Sequence, residues 1–139
     1  MSDLEDIRRV IAEYCFATDT ADTERWISLF AEDVLWEGGV FGRFTSRDGA
    51  RAYHLAASDS AHYRHVTTNS IIDVDGAEAS AQSYVLVFDQ RGEAPALIFS
   101  GVCEDRFIRQ DGRWLIKERR IHPHPSAIGE AASPAQADV

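Results

Sequence analysis

Two pairs of histidines are the first candidates for chemistry in this sequence: His62 with His65, and His122 with His124. Imidazole is a common zinc ligand, and a metal site needs three or four such donors. The spacing of His62 and His65 puts its members on opposite faces of a strand. No cluster of cysteines or carboxylates completes either pair. We therefore expect no metal site.

His65 could instead act as a base, because a neutral imidazole accepts a proton readily near pH 7. A lone histidine in a strand-like run is also a common hydrogen-bonded structural residue, and the residues alone leave both interpretations open. The two cysteines, Cys15 and Cys103, lie inside apolar patterns without a CxxC spacing. In a reducing compartment we expect them to be small core residues, not a disulfide or a metal site.

Helices must position the N-terminal half of any such site. Ser2 and Glu5 have the spacing of a capping box, and apolar residues then recur every three or four positions, which predicts a helix to about Ala17. A second, short helix is predicted with Trp26, Leu29 and Phe30 on one face. A strand is predicted over 33–37, and Ser46 could cap a third helix that ends at about Ala57.

Four strand-like runs follow, over 63–74, 78–90, 96–109 and 113–121. They are rich in β-branched and aromatic residues, and two of the connections contain Asp-Gly, the strongest short hairpin signal. The pattern predicts a four-stranded antiparallel meander. Its longest strands would extend about 40 Å, and a twisted sheet of that length must curl. Curled over three helices, the sheet would form a cone with one open end.

Composition narrows the class of partner. The chain has 14 basic and 23 acidic residues among its 139, a net charge of −9, which argues against nucleic acid and against an anionic membrane surface. No apolar run is long enough to cross a bilayer. The acidic N-terminus lacks the order of a signal peptide, so we expect a cytoplasmic protein. We expect one domain over residues 1–121 and a flexible tail over 122–139.

The order of helices and strands resembles the SnoaL-like branch of the nuclear transport factor 2-like superfamily. The resemblance implies an α+β fold: a cone of three N-terminal helices packed in a curved, mostly antiparallel sheet, a cystatin-like α+β barrel. Four segments carry it: Tyr14-Cys-Phe-Ala-Thr-Asp19-Thr-Ala-Asp22, Trp26-Ile-Ser-Leu-Phe30-Ala-Glu-Asp33, His65-Val-Thr-Thr-Asn69, and Gly101-Val-Cys-Glu-Asp105 running into Asp111-Gly-Arg-Trp114.

Within the superfamily the chain looks similar to three kinds of lyase: scytalone dehydratase, the bile-acid 7α-dehydratases and hexachlorocyclohexane dehydrochlorinase. The resemblance implies a dyad in which His65 abstracts a proton and Asp19 orients it. It also implies that Tyr14 polarises the substrate and that Arg119 stabilises a departing anion. Strand alternation sends only one of Arg119 and Arg120 inward. Asp19 could alternatively cap the turn before the second helix, and Tyr14 could be a core residue.

Further residues are candidates for holding the substrate. Asn69 lies four positions after His65, which puts it on the same strand face. Asp89 is a candidate for the position where the bile-acid enzymes have an acidic residue. The remaining candidates are aromatic residues that could line a pocket or simply belong to the core: Trp36, Phe41, Tyr53 and Phe88.

Three functions therefore stay open. The first is a cofactor-free lyase acting on an apolar, cyclic small molecule. The second is an isomerase like ketosteroid isomerase, with Glu37 as base and with Tyr14 and Asp105 as oxyanion donors. The third is a non-catalytic ligand carrier or assembly module, such as the small subunit of a ring-hydroxylating dioxygenase. The resemblance also implies a homo-oligomer, a trimer or a dimer, formed through the outer sheet face.

Overall fold

A computed structural model describes residues 2–57 and 60–125. Within them, two helices precede two strands, a third helix follows these strands, and four long strands complete the chain's order. Two short 3-10 turns, Gly39–Phe41 and Ser60–His62, lie in the connections. The elements are α1 (Asp3–Asp19), α2 (Thr23–Ile27), β1 (Phe30–Glu37), β2 (Arg43–Thr45), α3 (Ser46–Ala56), β3 (Tyr63–Asp75), β4 (Glu78–Asp89), β5 (Ala96–Gln110) and β6 (Arg113–Pro123).

Helix α1 begins with the predicted capping box: the Ser2 hydroxyl accepts from the Glu5 amide, and the Glu5 carboxylate accepts from the Ser2 amide. These bonds satisfy two of the amides that a helix start leaves unpaired. The apolar residues at three- and four-residue spacing, among them Ile7 and Ile11, are buried. The helix continues two residues beyond the predicted end, to Asp19, and this extension brings that carboxylate to the sheet.

The predicted C-terminal end of the second helix is wrong. Helix α2 stops at Ile27, and Phe30 begins strand β1. The cause is tertiary: β1 pairs in parallel with β6, with Phe30 opposite Ile116, and the Ile116 amide donates to the Leu29 carbonyl at 2.8 Å. A ladder with a strand more than eighty residues away overrides the local helical spacing.

The third helix starts as predicted at Ser46, but the capping differs. Thr45 occupies the N-cap without a side-chain bond, and the Ser46 hydroxyl accepts from the Gly49 amide at 3.2 Å. Ala50 and His54, one helical turn apart, are buried. This face of α3 packs towards β1 and α2.

The predicted meander is confirmed, and the sheet contains two more strands than the meander. Its order is β2-β1-β6-β5-β4-β3, antiparallel except for the β1–β6 pair. The six-stranded sheet is curved and does not close, so among the described residues β2 and β3 are its edges. The helices lie within the curve, with α1 against β3 and α3 against β1. The expected α+β cone is the architecture observed.

Aromatic rings dominate the core at the end where α2, α3 and β1 meet. Trp26 packs edge-on to Phe30 at 4.8 Å between centroids, and Trp36 stacks on Phe44 at 5.2 Å. Gly38 is required beside this cluster, because a Cβ there would come within 2.4 Å of the Trp36 ring. Large rigid side chains such as these bury much apolar area and lose little conformational entropy when they are ordered.

The C-terminal end of the sheet extends past the expected domain boundary. Strand β6 continues to Pro123, and the His124 amide still donates to the Ser100 carbonyl at 2.8 Å. The rest of the predicted tail, 126–139, lies outside the described residues. Across the parts of the chain that the structure describes, no helix has the length and apolarity needed to cross a membrane.

Candidate functional site

A cavity with a volume of about 380 Å³ lies between the helices and the concave sheet face. That volume is within the range of small-molecule sites. Exposed Phe41 and Ile98 belong to its lining, so the cavity opens where these residues meet solvent. The remaining lining residues are Tyr14, Cys15, Thr18, Trp26, Trp36, Tyr53, His54, Ala57, Tyr63, His65, Thr67, Val85, Val87, Phe99, Cys103, Arg119 and Ile121.

Asp19 and His65 are in direct contact at the wall of this cavity. The Nδ1 atom of His65 lies 2.7 Å from Oδ1 of Asp19, and the carboxylate also accepts from the His65 backbone amide at 3.1 and 3.2 Å. A carboxylate is an acceptor only, so Nδ1 carries the proton and Nε2 has the free lone pair. Within residues 2–57 and 60–125, Nε2 has no hydrogen-bond partner.

The elements that hold this pair are a helix end and a sheet edge. Asp19 is the last residue of α1, where a negative charge opposes the helix dipole, and no basic residue of the last turn compensates it. His65 lies on β3, whose outer edge has free backbone amides. The contact between them offsets the unfavourable charge at the helix end, because the His65 amide and imidazole both donate to the Asp19 carboxylate. It also gives this amide of the edge strand a hydrogen-bond acceptor.

Tyr14 lies deep in the same cavity. Its hydroxyl accepts from the Trp36 indole nitrogen at 2.9 Å and keeps its own proton to donate. Burial raises the pKa of Tyr14 to about 12, so the phenol is neutral at every physiological pH. The structure therefore supplies an O–H donor from the same helix that ends at Asp19.

Arg119, not Arg120, faces the interior. Its guanidinium lies 3.9 Å from the centre of the Tyr14 ring and donates twice to Asp105, at 2.8 and 2.9 Å. Both side chains are almost completely buried. Asp105 is the cross-strand neighbour of Arg119 in the β5–β6 ladder, and its charge raises the pKa of Arg119 against the effect of burial. Arg119 is thus a fixed, paired cation under Tyr14.

Three of the aromatic residues expected to hold a ligand do line the cavity. Trp36 is buried in the wall and Phe41 lies at the rim, 5.2 Å from the ring of Phe99 in an edge-to-face contact. Tyr53 lines the cavity from α3 while its hydroxyl donates to the Phe41 carbonyl at 2.8 Å. This bond ties the rim turn to α3.

Asn69 does not face the cavity. His65 and Thr67 alternate inward as expected, but a β-bulge between Thr68 and Ile71 interrupts the ladder, and Asn69 takes a positive φ of 56° within it. The extra residue ends the alternation from which its direction was predicted. Asn69 is exposed and lies beside α1 in a surface groove outside the cavity.

Phe88 and Asp89 are also absent from the lining. Val85 and Val87 face the cavity, and Phe88 follows with its side chain on the opposite face of β4, next to an irregularity in the β4–β5 register. Asp89 ends the strand and binds Arg91 through both its carboxylate oxygens, at 3.1 and 3.0 Å. The interaction lowers the pKa of Asp89 and holds its carboxylate outside the cavity.

Two of the three residues that the isomerase alternative requires lie outside the cavity lining. Glu37 pairs with Arg43 at 3.0 Å across the β1–β2 ladder and is not part of the cavity lining. Asp105 is buried behind Arg119 and is not part of the lining either. Only Tyr14 of that proposed trio reaches the cavity.

Sequence reasoning missed His54. It lies on the buried face of α3, in the cavity wall, and stacks on Trp26 with ring centroids 4.5 Å apart. Its Nδ1 bonds the Thr23 hydroxyl at 2.9 Å. The signal was present in the sequence as the one-turn spacing between Ala50 and His54, but that spacing alone does not distinguish a cavity wall from a core.

Histidines and carboxylates do not gather into a metal site. No group of three or more metal-ligating side chains occurs within the described ranges 2–57 and 60–125. His65 instead faces Asp19, and exposed His122 pairs with Glu104 at 3.0 Å on the outer sheet face.

Both thiols line the cavity, and the structure predicts that they react slowly. Burial raises the pKa of Cys103 to about 11 and also raises that of Cys15, so the reactive thiolate is scarce at pH 8. We expect alkylation of Cys103 by iodoacetamide in the folded protein to be at least about 100-fold slower than in urea, where the pKa is near 8.5, and alkylation of Cys15 to be slower as well. Mass spectrometry of timed samples measures the rates, and equal rates in the two conditions would contradict the burial of the thiols.

The sequence matches the family model of a SnoaL-like domain over residues 1–120. No curated protein matches it. Among solved structures, a Nostoc punctiforme protein of unknown function with a cystatin-like fold is 26% identical, with a TM-score of 0.81, over 89% of this chain and 92% of that one.

Two structures from Novosphingobium aromaticivorans, each 23% identical, share the fold. One is a proposed scytalone dehydratase, with a TM-score of 0.74 over 88% of this chain and 85% of the other. The second is the beta subunit of a proposed aromatic-ring-hydroxylating dioxygenase, with a TM-score of 0.75 over 88% and 89%. At this identity the likeness establishes the architecture, and function has to be argued from the site.

Proposed function

This chain belongs to the SnoaL-like domain family, and we propose that it is a cofactor-free lyase that removes water or hydrogen halide from a cyclic, mostly apolar small molecule. The observation that carries the proposal is the 2.7 Å contact between His65 Nδ1 and Asp19 Oδ1 at the wall of the cavity. A carboxylate that holds one ring nitrogen fixes the tautomer and stabilises the imidazolium that forms when the other nitrogen takes a proton.

The reaction uses groups that line one cavity. Nε2 of His65 takes a proton from a substrate carbon, and the C–H electron pair becomes the new double bond. The leaving group departs from the adjacent carbon with the electrons of its own bond. A departing hydroxide takes the proton from the imidazolium and leaves as water, whereas a halide leaves as the anion and the imidazolium then releases its proton to solvent. Tyr14, neutral and able to donate, would hold a substrate oxygen during proton abstraction.

Arg119 has an indirect part in this proposal. Its charge is paired with Asp105, which reduces the attraction it offers to a free anion. Its contact with the face of Tyr14 remains, and a cation against the ring favours the developing charge on the phenol oxygen when that oxygen donates its hydrogen bond. We therefore propose Arg119 as a residue that positions and polarises Tyr14.

The apolar part of the lining supports a cyclic substrate. Aliphatic residues of three strands, Val85, Val87, Ile98 and Ile121, face the aromatic residues of the helices across the cavity. Such walls exclude water, which strengthens the Asp19–His65 interaction. A scytalone dehydratase is proposed among the structural neighbours, which accords with elimination chemistry in this fold.

Elimination can be tested directly with a panel of cyclic compounds. Purified protein would be incubated with cyclic β-hydroxyketones, cyclic halides and hydroxylated bicyclic ketones, and mass spectrometry would follow the loss of water or of hydrogen halide. We expect at least one class to be converted faster than in buffer. Binding by several classes without conversion of any would instead favour the second candidate, a non-catalytic carrier or an assembly subunit like the dioxygenase beta subunit.

A further inference from the structure

Among the residues that the structure describes, two buried polar groups of the cavity lining have no hydrogen-bond partner. They are the indole nitrogen of Trp26 and Nε2 of His54, and both residues belong to the cavity lining. A buried donor or acceptor without a partner costs about 1–3 kcal/mol, and most such groups in proteins are satisfied. Two of them on neighbouring rings therefore require an explanation.

The other tryptophans show that the condition of Trp26 is unusual. The Trp36 indole donates to the Tyr14 hydroxyl and the Trp114 indole donates to the Asp3 carboxylate, each at 2.9 Å. The sequence has three tryptophans, so Trp26 is the one whose N–H is left unpaired. Trp26 also belongs to the cavity lining, where its ring contacts the second residue with an unpaired group.

The two unpaired nitrogens belong to rings in direct contact. The Trp26 and His54 rings stack with centroids 4.5 Å apart and an angle of 21° between their planes. The Thr23 hydroxyl holds Nδ1 of His54 at 2.9 Å, which fixes the ring and leaves only Nε2 available. We propose that Trp26 Nε1 and His54 Nε2 form a recognition point for a hydroxyl group of the bound molecule.

The chemistry of the two nitrogens selects a hydroxyl. The indole N–H can only donate, so the ligand atom must accept. Thr23 can donate to Nδ1 or accept from it, so Nε2 of His54 is either a donor or an acceptor. A hydroxyl oxygen accepts from the indole and can serve either form of the imidazole, whereas an ammonium cannot accept from the indole at all.

A charged ligand group fits poorly here. Burial lowers the pKa of His54, so the imidazole is neutral near pH 7 and offers no counter-charge to a carboxylate. The surrounding rings, Phe30, Phe44 and Tyr53, are packed on Trp26 and contribute no charge. The inference rests on the proposed binding of a cyclic molecule and adds that this molecule carries a hydroxyl on the helix side of the cavity, away from the proton-abstracting dyad on β3.

Two probes of equal shape test this inference without requiring turnover: 2-naphthol and 2-methylnaphthalene. Titration calorimetry would measure the affinity of each for the full chain. We expect the wild type to bind 2-naphthol about tenfold more tightly, as one or two hydrogen bonds would give. In His54→Phe, which keeps the stacked ring, and in Trp26→Phe, the preference should fall to about threefold or less.

The variant His65→Gln separates this inference from the proposed lyase function. It removes the base but leaves Trp26 and His54 in place, so the 2-naphthol preference should persist in it. Loss of the preference in His65→Gln, or its persistence in His54→Phe and Trp26→Phe, would overturn the inference. Neither result depends on whether the protein eliminates water or halide, and a failed elimination assay leaves these affinities unaffected.

A spectroscopic readout covers the case in which Trp26→Phe does not fold. In nitrogen-15-labelled wild type, the indole N–H signals of the three tryptophans would be assigned with Trp36→Phe and Trp114→Phe. We expect 2-naphthol to shift the Trp26 signal downfield and 2-methylnaphthalene to leave it near its starting position. Equal shifts with both probes would show that no hydroxyl binds there.

Discussion

Replacing His65 with glutamine is expected to lower kcat by about 100- to 10,000-fold, the usual contribution of a general base. Glutamine can still donate a hydrogen bond to Asp19, so the contact between α1 and β3 survives in part. It has no lone-pair nitrogen that accepts a proton near pH 7. The effect should therefore fall on kcat for whichever panel compound is converted, with the thermal unfolding midpoint little changed.

The matched control for this variant is His62→Gln. His62 is exposed, precedes the same strand by one residue and is not part of the cavity lining, so the same chemical change there should leave kcat within about twofold of wild type. Asp19→Asn is the complementary variant, because it keeps an acceptor for Nδ1 and removes the charge that stabilises the imidazolium. Full activity in His65→Gln, with the protein folded, would end the catalytic account.

The order of elements could be predicted from sequence because local signals dominate it. The capping box at Ser2 and the Asp-Gly turns before β4 and β6 act within a few residues. The parallel pairing of β1 with β6 has no local signal, since parallel strands are brought together by distant parts of the chain. For that reason Phe30 was expected on a helix and begins a strand.

The residues of the candidate site, too, were predictable from sequence only in part. Alternation along β3 predicted that Asn69 shares a face with His65, and it failed there, because a bulge changes the face of every later residue and has no clear sequence signature. The family resemblance supplied the pairing of Asp19 with His65. Nothing in the sequence predicted the empty hydrogen-bonding positions of Trp26 and His54, since an unpaired group becomes visible only when all its neighbours are placed.

Replacing Asp105 with asparagine is expected to lower the free energy of unfolding by about 3–5 kcal/mol, the cost of leaving a buried charge unpaired. Arg119 and Asp105 side chains are 1% and 0% exposed, so water cannot replace the lost partner. The Arg119 guanidinium would keep its charge against the Tyr14 ring, which offers far less stabilisation than a bidentate carboxylate. Urea denaturation followed by tryptophan fluorescence measures the difference.

A surface aspartate provides the matched comparison. Asp33 pairs with Lys117 on the exposed side of β1, and exposed pairs contribute little to stability because water solvates both charges. Asp33→Asn should therefore leave the urea midpoint almost unchanged. If Asp105→Asn lowered the free energy of unfolding no more than Asp33→Asn does, the prediction that Arg119 is left as an unpaired buried charge would be wrong.

The double variant Asp105→Leu/Arg119→Met distinguishes loss of a partner from loss of the pair. Because burying two charges has its own desolvation cost, apolar residues of similar size can replace such a pair with little net loss of stability. We expect the double variant to be more stable than Asp105→Asn, although it lacks one more polar group. It should nevertheless lose activity in the elimination assay, since Tyr14 would keep its Trp36 bond but no longer lie against a cation. A double variant that stays stable but loses activity would show that the pair acts through Tyr14 and not through folding.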